Sequence, residues 1–491
     1  MSPAEARFER LRRTIGLFAG PLVGIVVWMI AMPGLSDDAH KLAAVVSLVV
    51  VWWVTEAIPI PATALIGASL TVVFGITTAQ AAFAPFASPI IFLFIGSFMI
   101  GRAVADHGLD RRLAASLLSL EFVRGNVGRM SLALIGLTLV MSAWMSNTAT
   151  TAMMLPIALG VLAASGAAAG DDARRRCSPL LLGIAYAASI GGIATPVGSP
   201  PNLITIGLLE QVAGQHITFF AWMVVAGPIA LAVGLALALV TGRRLGSLAA
   251  TRVSYVRAPE PGGAWTPGQR NCAIAFAAAV TFWILPGAIA LIGSTESPAY
   301  QLLSARAEEA VVAVLAATLL FVLPTNWSQR QFTLGWESAA RIDWGTILLF
   351  GGGLSLGQLM FSTGLAAHIG AGLVAISGAE SLWTITAASV VIGMVMTEVA
   401  SNTAATNMMV PVVIAICQAS GVSPVPPAMG VCLAASMAFM LPISTPPNAI
   451  VYGSGLVPIT SMIRQGLLMD VIAGIVIFVG LRLLCPLVGL A

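Results

Sequence analysis

A polar tripeptide occurs twice in this chain, each time in strongly apolar surroundings. Ser146-Asn147-Thr148 opens the run SNTATTAMMLPI, and Ser401-Asn402-Thr403 opens SNTAATNMMVPV. A proline follows at the same spacing in each copy, at Pro156 and Pro411. A second pair echoes the first: Gly198-Ser199-Pro200-Pro201-Asn202 and Ser444-Thr445-Pro446-Pro447-Asn448. Small polar groups and prolines in one context in both halves imply a duplicated half built around one binding site. Paired interruptions in corresponding apolar segments point to where such a site lies.

Composition sets the solvent. Of 491 residues, 58% are hydrophobic and 9% charged, with a mean hydropathy of +0.96. A soluble domain carries about 25% charged residues, so the bilayer is the solvent that suits this chain. Five cysteines (Cys177, Cys272, Cys417, Cys432, Cys485) are scattered without metal spacing and read as core thiols. The four histidines are dispersed as well. No cluster of metal ligands and no nucleophile-base pair occurs in the apolar blocks, which argues against an intramembrane enzyme. The apolar stretch after the basic start reads as a first span and not as a cleaved signal. Loops are expected around Gly166–Asp172 and Arg257–Gly268.

With about 20 apolar residues per crossing, about eleven spans are expected: 14–33, 42–60, 62–79, 89–108, 179–209, 217–242, 271–294, 309–324, 344–364, 428–457 and 466–488. Spans 179–209 and 428–457 each contain a PPN motif and read as broken helices. The blocks 130–164 and 382–417 each carry an SNT near the middle. They are either two crossings with a polar joint or re-entrant hairpins, and the polar tip favours re-entrance. With the N-terminus in the cytoplasm and both blocks re-entrant, the basic residues divide sharply. Of the 23 Lys and Arg, only Lys41, Arg102, Arg306 and Arg482 fall outside the cytoplasmic segments. That bias places the C-terminus outside; it fixes orientation but not re-entrance.

The duplication extends beyond the motifs, since FIGSFMIGRAVADHGL (94–109) aligns with FGGGLSLGQLMFSTGL (350–365). An odd number of spans separates the copies, so the second is inverted. The expected fold is an all-α membrane protein, an inverted-repeat transporter with about eleven transmembrane helices and two re-entrant helical hairpins.

The chemistry of such tips follows from helix ends. A helix start presents free N–H groups and positive dipole, which bind anionic oxygen. A helix end and an unwound PPN segment present carbonyls. Together with hydroxyls and the Asn amide oxygen, they surround a small hard cation such as Na+. Two facing tips fit an anion with acceptors at both ends, such as a dicarboxylate. Neither the SNT nor the PPN segments contain Lys, Arg or His. A dianion without fixed countercharge is costly in an apolar site, so bound cations are expected to offset it.

These residues resemble the divalent anion/sodium symporter family, which includes sodium-coupled dicarboxylate, citrate and sulfate carriers. The resemblance covers nearly the whole chain. It rests on WWVTEAIPIPATAL (52–65) and on both copies of SNT and PPN. It implies a homodimer of elevator type, each protomer having a scaffold and a mobile transport domain. The parts so implied are 1–128 (scaffold and first-repeat spans), 129–242 (transport, with the first hairpin and broken helix), 243–379 (scaffold of the second repeat) and 380–491 (transport, with the second hairpin and broken helix). It also implies Na+ near Ser142, Ser146, Asn147 and Gly198, and a second Na+ near Thr397, Ala400, Asn402 and Ser444. Substrate would lie between Asn147, Thr148, Ser199, Asn402, Thr403, Thr445 and Pro446. Pro196 and Ser444 depart from the family's usual residues without removing a ligand, because a backbone carbonyl serves at such positions.

Blander roles are expected elsewhere. Doubled SNT motifs also occur as small-residue packing interfaces, but the neighbouring prolines favour a site. Glu56 and Glu398 lie in apolar runs and read as structural. Arg102 and Asp106, four residues apart, are expected to pair, and Trp52 and Trp53 to pack or anchor. The function expected is a sodium-coupled importer of C4-dicarboxylates (succinate, fumarate, malate) in a bacterial-type inner membrane. The rivals are a sulfate or citrate carrier, a sodium-independent exchanger and a passive anion channel.

Overall fold

The computed structural model describes all residues except 1–2, 124, 170–171, 254–262, 293–295 and 379–380. Arg124 and part of the two expected loops, including Arg257, lie outside the described residues. Helices α1 (Pro3–Met29), α2 (Asp37–Thr55) and α3 (Ile60–Val73) open the chain. α2 starts where Ser36 accepts from the Ala39 N–H at 3.2 Å, with Asp37 and Asp38 on the positive helix end. It ends at Glu56, in left-handed backbone with φ 47°. The Glu56 carboxylate pairs with Arg12 at 3.2 Å and Arg13 at 3.6 Å, tying α2 to α1. Glu56 thus has the structural role expected of it.

Short α4 (Ala79–Phe83) leads to α5 (Pro89–Asp106) and α6 (Leu109–Leu118). Next come α7 (Val127–Ser142), α8 (Asn147–Ala164), α9 (Ala173–Gly192), α10 (Pro200–Ala213) and α11 (Phe219–Leu245). The middle of the chain holds α12 (Pro267–Ile292), α13 (Pro298–Arg306) and α14 (Glu309–Val322). A small antiparallel hairpin follows, β1 (Pro324–Asn326) with β2 (Gln331–Phe332), then α15 (Trp336–Ala339). The last part is α16 (Trp344–Ser362), α17 (Leu365–Ser377), α18 (Leu382–Val399), α19 (Asn402–Ala419), α20 (Val425–Ala435), α21 (Pro446–Gly453) and α22 (Ile459–Leu487).

The order of elements from α5 to α11 recurs from α16 to α22. Each run has a long helix, a shorter one, a helix-turn-helix pair, a helix broken at its PPN motif and a final long helix. Packing recurs too: α7 lies on α9 as α18 lies on α20, and α9 on α11 as α20 on α22. The halves interlock reciprocally, α8 against α21 and α10 against α19. Among the described residues, 10 helices are long and apolar enough to cross a membrane. That set includes Asn147–Ala164, Leu382–Val399 and Asn402–Ala419 from the SNT blocks. It leaves out the short Ile60–Val73 and Glu309–Val322 and the two broken helices, which the sequence expectation counted as spans.

Several boundaries differ from expectation, most of all the starts of α1 and α22. α22 begins at Ile459 instead of 466, because Pro458 sets the start and Arg464 and Gln465 continue the helix. α1 begins at Pro3 instead of 14, since the basic N-terminal residues are good helix formers.

Close helix approach depends on glycine where α16 meets α19. A Cβ on Gly353 would stand 1.7 Å from Asn407 Oδ1, so any side chain there forces the buried Asn407 amide away from its bond to Thr403 O. Gly353→Ala is therefore expected to destabilise the protein by about 1–3 kcal/mol through overpacking, read as a lower unfolding midpoint in detergent. An unchanged midpoint would mean that the Asn407 side chain yields without cost.

Candidate functional site

Each helix-turn-helix pair is bridged across its tip. Ser142 Oγ, on the last residue of α7, hydrogen-bonds the Asn147 side-chain amide at 2.7 Å, and Thr397 near the end of α18 donates to Asn402 Oδ1 at 2.7 Å. Thr151 and Thr406 each donate to the carbonyl of the same asparagine at 2.8 Å. The same side-chain types at the same spacing therefore build both tips.

The first tip is rich in oxygen. Around the Asn147 amide stand Gly198 O at 3.3 Å, Ala188 O at 3.1 Å and Ser142 Oγ at 2.7 Å. With its nitrogen turned inward, the amide donates to all three. With its oxygen turned inward, it accepts from Ser142 Oγ but faces two carbonyl oxygens, an oxygen nest that a bound cation would stabilise. Gly198 closes the nest from the other side: a Cβ there would lie 2.6 Å from Gly192 O and 2.7 Å from Ala143 O. At the second tip the Thr397 hydroxyl faces both Asn402 Oδ1 at 2.7 Å and Ala435 O at 2.5 Å. One hydroxyl proton serves only one of them, so this cluster has surplus oxygen as well. The donor sets are neutral hydroxyl, amide and backbone oxygens, which suit a monovalent hard cation.

Ser444 stands where the first copy has Gly198, and its side chain turns elsewhere. Its Oγ donates to Glu398 Oε2 at 2.7 Å. Glu398 Oε1 accepts from Phe439 N at 2.9 Å and Met440 N at 3.0 Å. Glu398 is thus a structural brace for the unwound segment, as expected. Sequence reasoning did not single out Asp470 of α22, which shares an apolar groove with Glu398.

Both breaks are held by their PPN asparagine. Pro200 and Pro446 open α10 and α21, positions at which no N–H is needed. The carbonyls freed upstream need donors in an apolar interior. Asn202 donates to Gly192 O and Thr195 O, both at 2.8 Å; Asn448 donates to Ala438 O at 2.9 Å and Leu441 O at 3.0 Å. In each copy the acceptors lie ten and seven residues upstream. Trp222 Nε1 caps Ile193 O at 3.0 Å, and Tyr186 Oη donates to Phe439 O at 2.9 Å.

One cavity of about 420 Å³ reaches both tips. It is lined by Asn147, Thr148, Ser199, Asn402, Thr403, Thr445 and Pro446, every residue expected to touch substrate. Ser146, Gly198 and Ser444 line it too, while Ser142, Thr397 and Ala400 are buried away from it. The N-terminal ends of α8, α10, α19 and α21 all border the cavity. The motifs lack basic residues, but the cavity does not: Arg102 and Arg341 line it, beside Asp343. No spacing signal marked Arg341 and Asp343, because the packing of α16 brings them in from outside the motifs. The expected Arg102–Asp106 pair forms, at 3.0 Å.

The family model for the sodium:sulfate symporter transmembrane region matches residues 11–489. The chain belongs to this transporter family and is not an enzyme. It is 28% identical to the sodium-dependent dicarboxylate transporter SdcS of Staphylococcus saprophyticus, covering 98% of this chain and 93% of that protein. It is 29% identical to SdcS of Staphylococcus aureus, covering 96% and 91%, and 32% identical to an uncharacterized transporter of Haemophilus influenzae, covering 93% and 94%. The fold is similar to that of the Alcanivorax borkumensis YdaH transporter (TM-score 0.57, 14% identity, 98% of both chains). It is also similar to Neisseria gonorrhoeae MtrF (TM-score 0.54, 11% identity, 97% of this chain and 94% of that one).

The brace asparagines give a direct test of the breaks. Asn202→Ala and Asn448→Ala each strip two buried carbonyls of their donor, at a cost of about 1–3 kcal/mol per carbonyl. Both variants are expected to melt several degrees lower in detergent, and an unchanged melting point in either would show that its break has other support.

Proposed function

We propose that this protein is a sodium-coupled importer of C4-dicarboxylates such as succinate, fumarate or malate. It lies in the inner (cell) membrane with its N-terminus in the cytoplasm and its C-terminus outside. The observation that carries this reading is the convergence of four helix starts, α8, α10, α19 and α21, on one cavity. Their dipoles favour an anion. The hydroxyls of Thr148, Ser199, Thr403 and Thr445 add donors at two opposed tips, which suits a molecule with a carboxylate at each end. The matching sodium-dependent dicarboxylate transporters support the same substrate class.

Coupling follows from charge. Asn147 and Asn402 each belong to an oxygen nest and also line the cavity. Na+ held by Ser142, Ser146, Asn147 and Gly198, and by Thr397, Ala400, Asn402 and Ser444, would place positive charge directly behind the anion. The cations bind first and complete the anion site. A dianion alone meets surplus oxygen at both tips and is repelled.

Translocation is by alternating access of the elevator kind. Residues 129–242 and 380–491, with both hairpins re-entrant and inverted with respect to each other, move against the scaffold of 1–128 and 243–379. The protein works as a homodimer. The cavity runs from the tips to Arg341 and Asp343, on the side assigned to the cytoplasm, which supports an inward-facing arrangement.

Reconstituted protein is expected to accumulate labelled succinate under an inward Na+ gradient, with sulfate and citrate competing weakly. Gradient-independent uptake that requires internal dicarboxylate would identify an exchanger instead. Asn147→Ala and Asn402→Ala are each expected to lower uptake at least tenfold while leaving the melting point within a few degrees of wild type. Wild-type uptake rates in both would remove these residues from the site.

A further inference from the structure

The charged residues that line the cavity are not equivalent. Arg102 is neutralised and fixed: its Nη2 pairs with Asp106 Oδ1 at 3.0 Å, and its Nε donates to Ser338 Oγ at 3.0 Å and Asp106 Oδ2 at 3.2 Å. Asp343 is engaged as the cap of α16, accepting from Thr346 N at 3.1 Å and Thr346 Oγ1 at 2.6 Å. Arg341 differs. Its backbone N–H donates to Ser338 O at 3.1 Å, which fixes the turn before α16. Its guanidinium makes no ion pair within 4.0 Å and no side-chain hydrogen bond among the described residues.

We propose that Arg341 is an anion-capture residue at the cytoplasmic mouth of the cavity. It pairs with one carboxylate of the dianion as the molecule passes between the tips and the cytoplasm. This rests on the reading of the cavity as the anion's path. A basic residue that only anchors a span meets lipid headgroups, whereas Arg341 lines the cavity that holds both SNT tips. Guanidinium suits this task because its planar donors match a carboxylate and its charge is permanent. An unpaired cation in a concave mouth also raises the local anion concentration and capture rate.

The contact is one-sided. Arg341 belongs to the part assigned to the scaffold, while the tips belong to the parts assigned to the moving unit. When the tips face outward, Arg341 is no longer part of the substrate's surroundings. It therefore acts on the cytoplasmic KM and not on the outer KM, and it supplies at that mouth the fixed positive charge that the motifs lack.

The test compares wild type with Arg341→Gln and Arg341→Lys in right-side-out and inside-out vesicles at matched Na+. Arg341→Gln is expected to raise KM on the cytoplasmic face about two- to fivefold, the range of a partly exposed ion pair. The outer KM and the maximal rate should be unchanged, and Arg341→Lys should restore most of the loss. Raising ionic strength should shrink the difference between wild type and Arg341→Gln. An unchanged cytoplasmic KM, or an equal change on both faces, would overturn the proposal. The readout is made with whichever dianion the wild-type protein transports. Failure with succinate alone then counts against the substrate reading and not against Arg341.

Discussion

The site depends on one constraint: a helix broken in apolar surroundings releases backbone groups that no water can satisfy. This chain meets it with side chains placed at fixed distances from each break. Asn202 and Asn448 take up two carbonyls each, Trp222 and Tyr186 one or more further carbonyls, and Glu398 two amides. Each prolines-plus-asparagine motif is therefore a break and its repair in one short segment. With the breaks stable, the same segments can expose helix starts and spare carbonyls where a ligand meets them.

That arrangement sets the electrostatics. The tips offer dipoles, hydroxyls and neutral oxygens, with no fixed ion in either motif. Under the proposed function such a site binds a bare cation or a bare dianion weakly and the two together strongly, because each supplies what the other lacks. The asparagine amides join the two functions: Asn147 and Asn402 border the cavity and also take part in the oxygen nests behind it.

Much of this was legible in the sequence because it is local and doubled. The SNT and PPN motifs marked every cavity residue expected to bind substrate, and the length of 179–209 and 428–457 marked the broken helices. The Ser142–Asn147 and Thr397–Asn402 bridges follow from a five-residue spacing repeated in both halves. What was not legible is non-local. Arg341 and Asp343 reach the cavity only through the packing of α16, and the four-residue spacing of Arg102 and Asp106 shows their pairing but not the place of Arg102 in the lining. The partners of Glu398 lie some 40 residues away, at Phe439, Met440 and Ser444. The start of α22 was missed because Arg464 and Gln465 lie within the helix and hydropathy alone placed its boundary after them.

If cation and anion complete one another's site, the two must be linked in equilibrium binding. Succinate binding to purified protein should be measured by calorimetry across a range of Na+ concentrations, with choline replacing Na+ at constant ionic strength. No detectable succinate binding is expected without Na+, and succinate should tighten Na+ binding by the same factor by which Na+ tightens succinate binding. Succinate affinity that stays the same from zero to saturating Na+ would contradict this linkage.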